Sequence, residues 1–145
     1  MSHASDGVYY PGMNTQAWYQ QLIKPVWAPP AWLFGPVWSV LYLVIIISFG
    51  YVFVRFFHGK LPVLVIAPFI LNILFNLAFT PLQFGLRSNL LASIDIVLIL
   101  VTLVWAIVAI WPLFPWVALV NIPYLIWVLF ATVLQLEITR LNFGR

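Results

Sequence analysis

The sequence predicts an all-α membrane protein whose four transmembrane helices form a single bundle. Three observations predict it. Of the 145 residues, 65% are hydrophobic and only 6% are charged, whereas a soluble domain carries about 25% charged residues. Four stretches are each apolar over the roughly 20 residues that a helix needs to cross a bilayer. Strand-period alternation is absent, which excludes a transmembrane barrel. The mean hydropathy of +1.09 also excludes a disordered chain, and no polar amphipathic segment is present that could cover four apolar helices in water.

The elements follow in order. Met1–Ala17 is polar, with neither a positive leader region nor an apolar one, so it is read as an N-terminal segment rather than a cleavable signal. The first span is expected from Ala31 to Val54, behind the Pro29-Pro30 pair that pre-sets a helix start. The second runs from Leu61 to Phe84, the third from Leu90 to Trp111 and the fourth from Leu113 to Leu136. Between them lie His58-Gly59-Lys60, Gly85-Leu86-Arg87-Ser88-Asn89, and Pro112 with Pro115, all breakers of helical continuity. No repeat or linker divides residues 18–145, which read as one transmembrane domain.

Four crossings place both termini on one side. That side carries Lys24, Arg87, Arg140 and Arg145, against Arg55 and Lys60 opposite, so the positive-inside bias puts both termini in the cytoplasm. The net charge of +3 comes from six basic and three acidic residues without a basic cluster, so nucleic acid is excluded as a partner. Membrane lipids are the expected surroundings. With no cysteine, and with His3 and His58 outside the spans, no embedded His or Cys can serve as an axial ligand to a haem iron. Neither a Ser/His/Asp arrangement nor a Gly-rich phosphate loop is present.

Eight tryptophans in so short a chain need an explanation. Trp18, Trp27, Trp32, Trp111 and Trp116 fall near span ends, where an interfacial aromatic belt accounts for them. Trp38 and Trp127 lie deeper. At about 1.5 Å of rise per residue, Trp38, Asn76, Asp95, Trp127 and Ala131 reach one slab roughly 7–14 Å below the cytoplasmic face. Helical facing agrees with that convergence. Asn72, Asn76 and Gln83, with Phe79 between, form one stripe on the second span. Asp95, Thr102, Ala106 and Ala109 share a face of the third. Tyr124, Trp127, Ala131 and Gln135 cover one arc of the fourth, and Trp38, Tyr42 and Phe49 do so on the first. Two readings are open. The polar residues are interhelical glue and the indoles packing, or together they wall a cavity for a flat amphipathic ligand. Asp95 as a proton relay is a third, narrower reading.

The stretch from Trp18 to Pro30, WYQQLIKPVWAPP, resembles the WYxxLxKPxWxPP signature of the TspO/MBR family. The resemblance continues through Gly35-Pro36-Val37-Trp38, Asn72 to Phe79 and Ala92 to Asp95, and ends in Pro123 to Thr132. It covers about Thr15 to Asn142. It implies a cavity for tetrapyrroles such as protoporphyrin IX and for drug-like hydrophobic ligands, with the segment Trp18–Pro30 packed over its mouth. Residues matching family pocket positions are Tyr19, Trp38, Asn76, Phe79, Trp127 and Ala131. Trp38 and Trp127 also match the tryptophans associated with light-dependent porphyrin breakdown in some bacterial members.

The family norm is five transmembrane helices, the extra one preceding the WY signature, where this sequence has only Met1–Ala17. A second copy or a partner subunit is therefore expected to cover the flank. No tyrosine precedes Arg140 in the run from Leu134, so the cholesterol motif of animal members is not supported.

The sequence therefore points to a binding protein in a bacterial inner membrane, a sensor, carrier or scavenger of tetrapyrroles, rather than to an enzyme. No resident cofactor or metal is required. Its expected ligand contacts are Tyr19, Trp38, Tyr42, Asn72, Asn76, Phe79, Gln83, Asp95, Tyr124, Trp127 and Ala131. Two alternatives stand beside it: a light-dependent porphyrin degrader using Trp38 and Trp127, and a structural or assembly subunit of a membrane complex.

Overall fold

In a computed structural model, which describes residues 22–59 and 61–143, helices are the only regular elements among the described residues. A 3-10 turn at Ala31–Leu33 leads into α1 (Phe34–Phe57). Then come α2 (Val63–Thr80), a π-helical turn at Pro81–Gly85, α3 (Asn89–Ile110), α4 (Pro115–Val120) and α5 (Ile122–Leu141). Four segments are long and apolar enough to span a membrane: α1, α2 with its π-turn, α3 and α5.

Local chemistry sets the boundaries. The α1 helix ends where the Gly59 amide turns back to the Phe56 carbonyl at 2.9 Å. Gly59 has a φ of +75°, a conformation that costs residues with a Cβ about 1–2 kcal/mol. Ser88 caps α3 by accepting from the Leu91 amide at 3.1 Å, as a serine ahead of a helix typically does.

Two boundaries differ from the sequence expectation. The second span does not stay α-helical to Phe84. Pro81 has no amide hydrogen to continue the ladder, and the Leu86 amide reaches the Pro81 carbonyl at 2.8 Å, which widens the last turn. The fourth span is not continuous from Leu113 to Leu136 but breaks at Asn121 and runs on to Leu141. Pro123, two residues past the break, likewise supplies no amide donor, and the Asn121 side chain bonds to the Val117 carbonyl at 2.8 Å and to Ser48 on α1 at 3.0 Å.

Burial is arranged for lipid. Leu43, Ile46, Ile47, Leu64, Val108 and Ile126 project outward, while Ser48, Asn72, Asp95, Thr102 and Gln135 lie within the bundle. The bundle is tightly packed at the end of the α1–α2 and α3–α4 connections. There Phe49 meets Phe69 edge-on at 4.8 Å, and Val52, Ile66, Leu103, Ala106 and Val117 form the core. At that same end Arg55 lies over the rings of Tyr51 and Phe114, 5.6 and 5.3 Å from their centroids.

The opposite end holds both ends of the described chain. Asn142, just past α5, accepts from the Ile23 amide at 3.0 Å and donates to the Ile23 carbonyl at 2.7 Å. Entry into the first span and exit from the last thus share one face, as four crossings require. Trp27 meets Phe130 of α5 edge-on at 5.8 Å. Lys24, outside the spans, donates to the Leu22 carbonyl at 3.2 Å, and partial burial lowers its ammonium pKa from the ordinary lysine value.

Candidate functional site

A cavity of about 840 Å³ occupies the terminal half of the bundle, within the size range of small-molecule sites. Its wall is drawn from the first half of α1, the end of α2 with the π-turn, the first half of α3 and the stretch of α5 from Trp127 to Ile138. Of the residues singled out in the sequence, Trp38, Tyr42, Asn76, Phe79, Gln83, Trp127 and Ala131 line it. The wall is mostly apolar and aromatic. Trp38 stacks at a tilt on Tyr42, with centroids 5.5 Å apart, and Trp127 packs against Phe34 and Phe130 at 5.8 and 5.4 Å.

Two polar layers bracket this space. The inner one separates it from the packed core and ties four helices together. Tyr42 donates to the Asn76 Oδ1 at 3.0 Å, and Asn76 Nδ2 donates to the Tyr124 hydroxyl at 2.8 Å. Tyr124 donates to Asn72 Oδ1 at 2.9 Å, and Asn72 Nδ2 donates to the Ile99 carbonyl at 3.0 Å and to Thr102 Oγ1 at 3.2 Å. Asn72 and Tyr124 are essentially inaccessible and stand behind the cavity wall. Glue and wall thus coexist here: the inner members join helices, while Tyr42 and Asn76 also face the cavity.

The outer layer joins the π-turn to α3 and α5. Gln135 Nε2 donates to Gln83 Oε1 at 2.9 Å, and Gln83 Nε2 donates to Asn89 Oδ1 at 3.0 Å. Thr139 donates to the Asn89 carbonyl at 3.0 Å and is hydrogen-bonded to Ser93. Buried polar groups in an apolar medium are costly unless paired, and these layers pair most of them.

Other placements differ from the sequence expectation. Asp95 is buried on α3 but does not line the cavity, and its Oδ2 has no hydrogen-bond partner among the described residues. Phe49 shares a face with Trp38 and Tyr42 but belongs to the packed core. Tyr19 and the polar segment 1–17 lie outside the described residues. Among the described residues no three His, Cys, Asp or Glu side chains converge as metal ligands would.

Residues outside the expected ligand contacts also reach the wall: Thr80, Phe84, Ile96, Ile99 and Gln135. Gln135 was legible, since it falls on the arc of Trp127 and Ala131. So was Phe84, four and eight residues past Thr80 and Asn76, a helical spacing that puts it near their face.

The fold and site define a class: a multi-pass α-helical membrane protein with an aromatic-walled cavity in one half of its bundle. A profile of the TspO/MBR family matches residues 4–141. The chain is 35% identical over 142 residues to Protein CrtK of Rhodobacter capsulatus, covering 97% of this chain and 86% of that protein. It is 34% identical to the tryptophan-rich sensory protein of Cereibacter sphaeroides, covering 92% of this chain and 82% of the relative. It is 33% identical to the human translocator protein, over 88% and 76% respectively. The chain belongs to the TspO/MBR family.

Proposed function

We propose that this protein binds flat, lipophilic molecules, tetrapyrroles such as protoporphyrin IX foremost, as a sensor, carrier or scavenger in the membrane. The observation that carries the reading is that Trp38 of α1 and Trp127 of α5, far apart in sequence, line one largely apolar cavity with few polar groups. Aromatic faces suit a planar conjugated ring, and Asn76 and Gln83 supply orienting polar contacts. The names of the relatives, a tryptophan-rich sensory protein and a translocator protein, agree with a ligand-responsive role. In this reading the protein sits in a bacterial inner membrane with both termini in the cytoplasm.

Titration of the protein in nanodiscs with protoporphyrin IX tests it, read by tryptophan fluorescence. The expected result is saturable quenching that weakens in both Trp38→Phe and Trp127→Phe. Quenching that never saturates, or that is identical in all three proteins, contradicts the proposal. A second reading has its own observation: the Trp127 indole nitrogen is buried without a hydrogen-bond partner among the described residues, on the cavity wall. An indole so placed beside a photoexcited porphyrin can exchange an electron with it. Light-driven loss of the porphyrin absorption band that disappears in Trp127→Phe supports this reading, and equal bleaching in the variant removes it.

A further inference from the structure

The inner polar layer fixes the direction of its own protons, and that direction reaches the cavity. The Ile99 carbonyl can only accept, so the Asn72 group facing it at 3.0 Å must be the amide nitrogen. Asn72 Oδ1 is then turned to Tyr124 at 2.9 Å and must receive the Tyr124 proton. With that proton committed, the Tyr124 oxygen accepts from Asn76 Nδ2 at 2.8 Å. This orients the Asn76 amide and leaves its Oδ1 facing Tyr42 at 3.0 Å. Oδ1 can only accept, so Tyr42 must donate its single proton inward. One backbone carbonyl on α3 therefore dictates the state of a hydroxyl on the cavity wall four bonds away.

We infer that Tyr42 is a hydrogen-bond acceptor towards the cavity, and that the site selects lipophilic ligands presenting an N–H or O–H donor there. The inference rests on the reading of this cavity as a binding site. A pyrrole or lactam N–H, a hydroxyl or a secondary amide satisfies the Tyr42 oxygen. An ether or ketone oxygen in the same place meets a lone pair and gains nothing. Asn72 and Tyr124 touch no ligand in this account. They act as positioning residues, holding the polarity of Tyr42 from behind the wall.

Carbazole, dibenzofuran and fluorene are matched planar tricycles bearing an N–H, an ether oxygen and a methylene group respectively. Their affinities for the protein in nanodiscs, referenced to empty nanodiscs, give a donor-over-acceptor ratio. In Asn72→Leu the anchor is gone, Tyr124 is free to donate to Asn76, and the Asn76 amide can invert. Tyr42 then accepts from Asn76 and turns its proton to the cavity. Other groups of the wall contribute to the absolute ratio, so the shift between proteins is the readout.

The expected result is a carbazole-over-dibenzofuran ratio that falls by about 2- to 10-fold in Asn72→Leu, the worth of one neutral hydrogen bond. The same substitution made in a Tyr42→Phe background should leave the ratio unchanged. Tyr124→Phe breaks the same relay at its middle and should also lower the ratio, which provides a second variant if Asn72→Leu does not fold. A ratio unmoved in whichever of these variants folds, or an equal shift in the Tyr42→Phe background, overturns the inference. Tricycles that fail to bind while protoporphyrin IX binds overturn it alone. Failure of both ligand classes overturns the binding reading with it.

Discussion

Tyr124 is the joint of the inner polar layer, and replacing it by Phe isolates that role. The ring is fully buried and meets Trp38 edge-on at 6.3 Å, so Phe keeps the packing and deletes only the hydroxyl. Two hydrogen bonds go with it, one donated to Asn72 at 2.9 Å and one accepted from Asn76 at 2.8 Å. Within membrane helices such bonds average about 0.6 kcal/mol each and reach about 1.7. The loss should therefore fall between about 1 and 3 kcal/mol.

Reversible unfolding in mixed micelles, with increasing SDS in a mild detergent, measures it. Tyr42→Phe is the internal control, because Tyr42 is half-exposed and makes one bond of the same layer. It should cost about 0.6 kcal/mol or less. A Tyr124→Phe protein no less stable than Tyr42→Phe would refute the claim that this layer ties the four helices together.

Other perturbations test other joints. Gln135→Leu removes the bond to Gln83 at 2.9 Å and should cost about 1 kcal/mol, with faster hydrogen exchange at the amides following Gln83. Unchanged exchange there would mean that the outer layer does not hold the π-turn. Gly59→Ala meets open space at its new Cβ but keeps the positive φ of +75°, so it should lose about 1–2 kcal/mol. Gly59→Asn should lose less, since asparagine tolerates that conformation, and equal losses in the same unfolding assay would contradict the backbone origin of the effect.

Much of this architecture is legible in the sequence, for a physical reason. A bilayer leaves few choices: apolar runs must be helices, and the polar residues left within them must meet one another. Depth placed Asn76 in the shared slab, and helical facing put Asn72 on its stripe and Tyr124 on the arc of Trp127; hydrogen bonds connect the three directly. Asp95 lies at the right depth but not on the cavity wall, because depth arithmetic gives height along a helix and only coarsely its rotation. Phe49 shows the complementary case. It shares the face of Trp38 and Tyr42, but that face passes from cavity to packed core along the length of α1.

The two helix breaks were the least legible features. Pro81 and Pro123 are visible in the sequence, yet a proline in a membrane helix is compatible with a kink, a π-turn or an interruption. The proline alone does not decide which one forms: the Leu86 amide closes on the Pro81 carbonyl in one case, and the Asn121 side chain takes the Val117 carbonyl in the other. The direction of the protons in the inner layer is further still from sequence, since it follows from one carbonyl of Ile99 facing one amide.

Filling the cavity tests the central claim most directly. Ala131 lines it on the α5 side together with Trp127, and Ala131→Trp places an indole into the space proposed for the ligand without removing any hydrogen bond described above. Protoporphyrin IX titrated into wild type and variant, with helical content checked by circular dichroism, gives the comparison. A cavity that holds the ligand predicts unchanged helicity and affinity weakened roughly tenfold or more, a loss of about 1.4 kcal/mol at least. Undiminished affinity in a folded Ala131→Trp protein would contradict it.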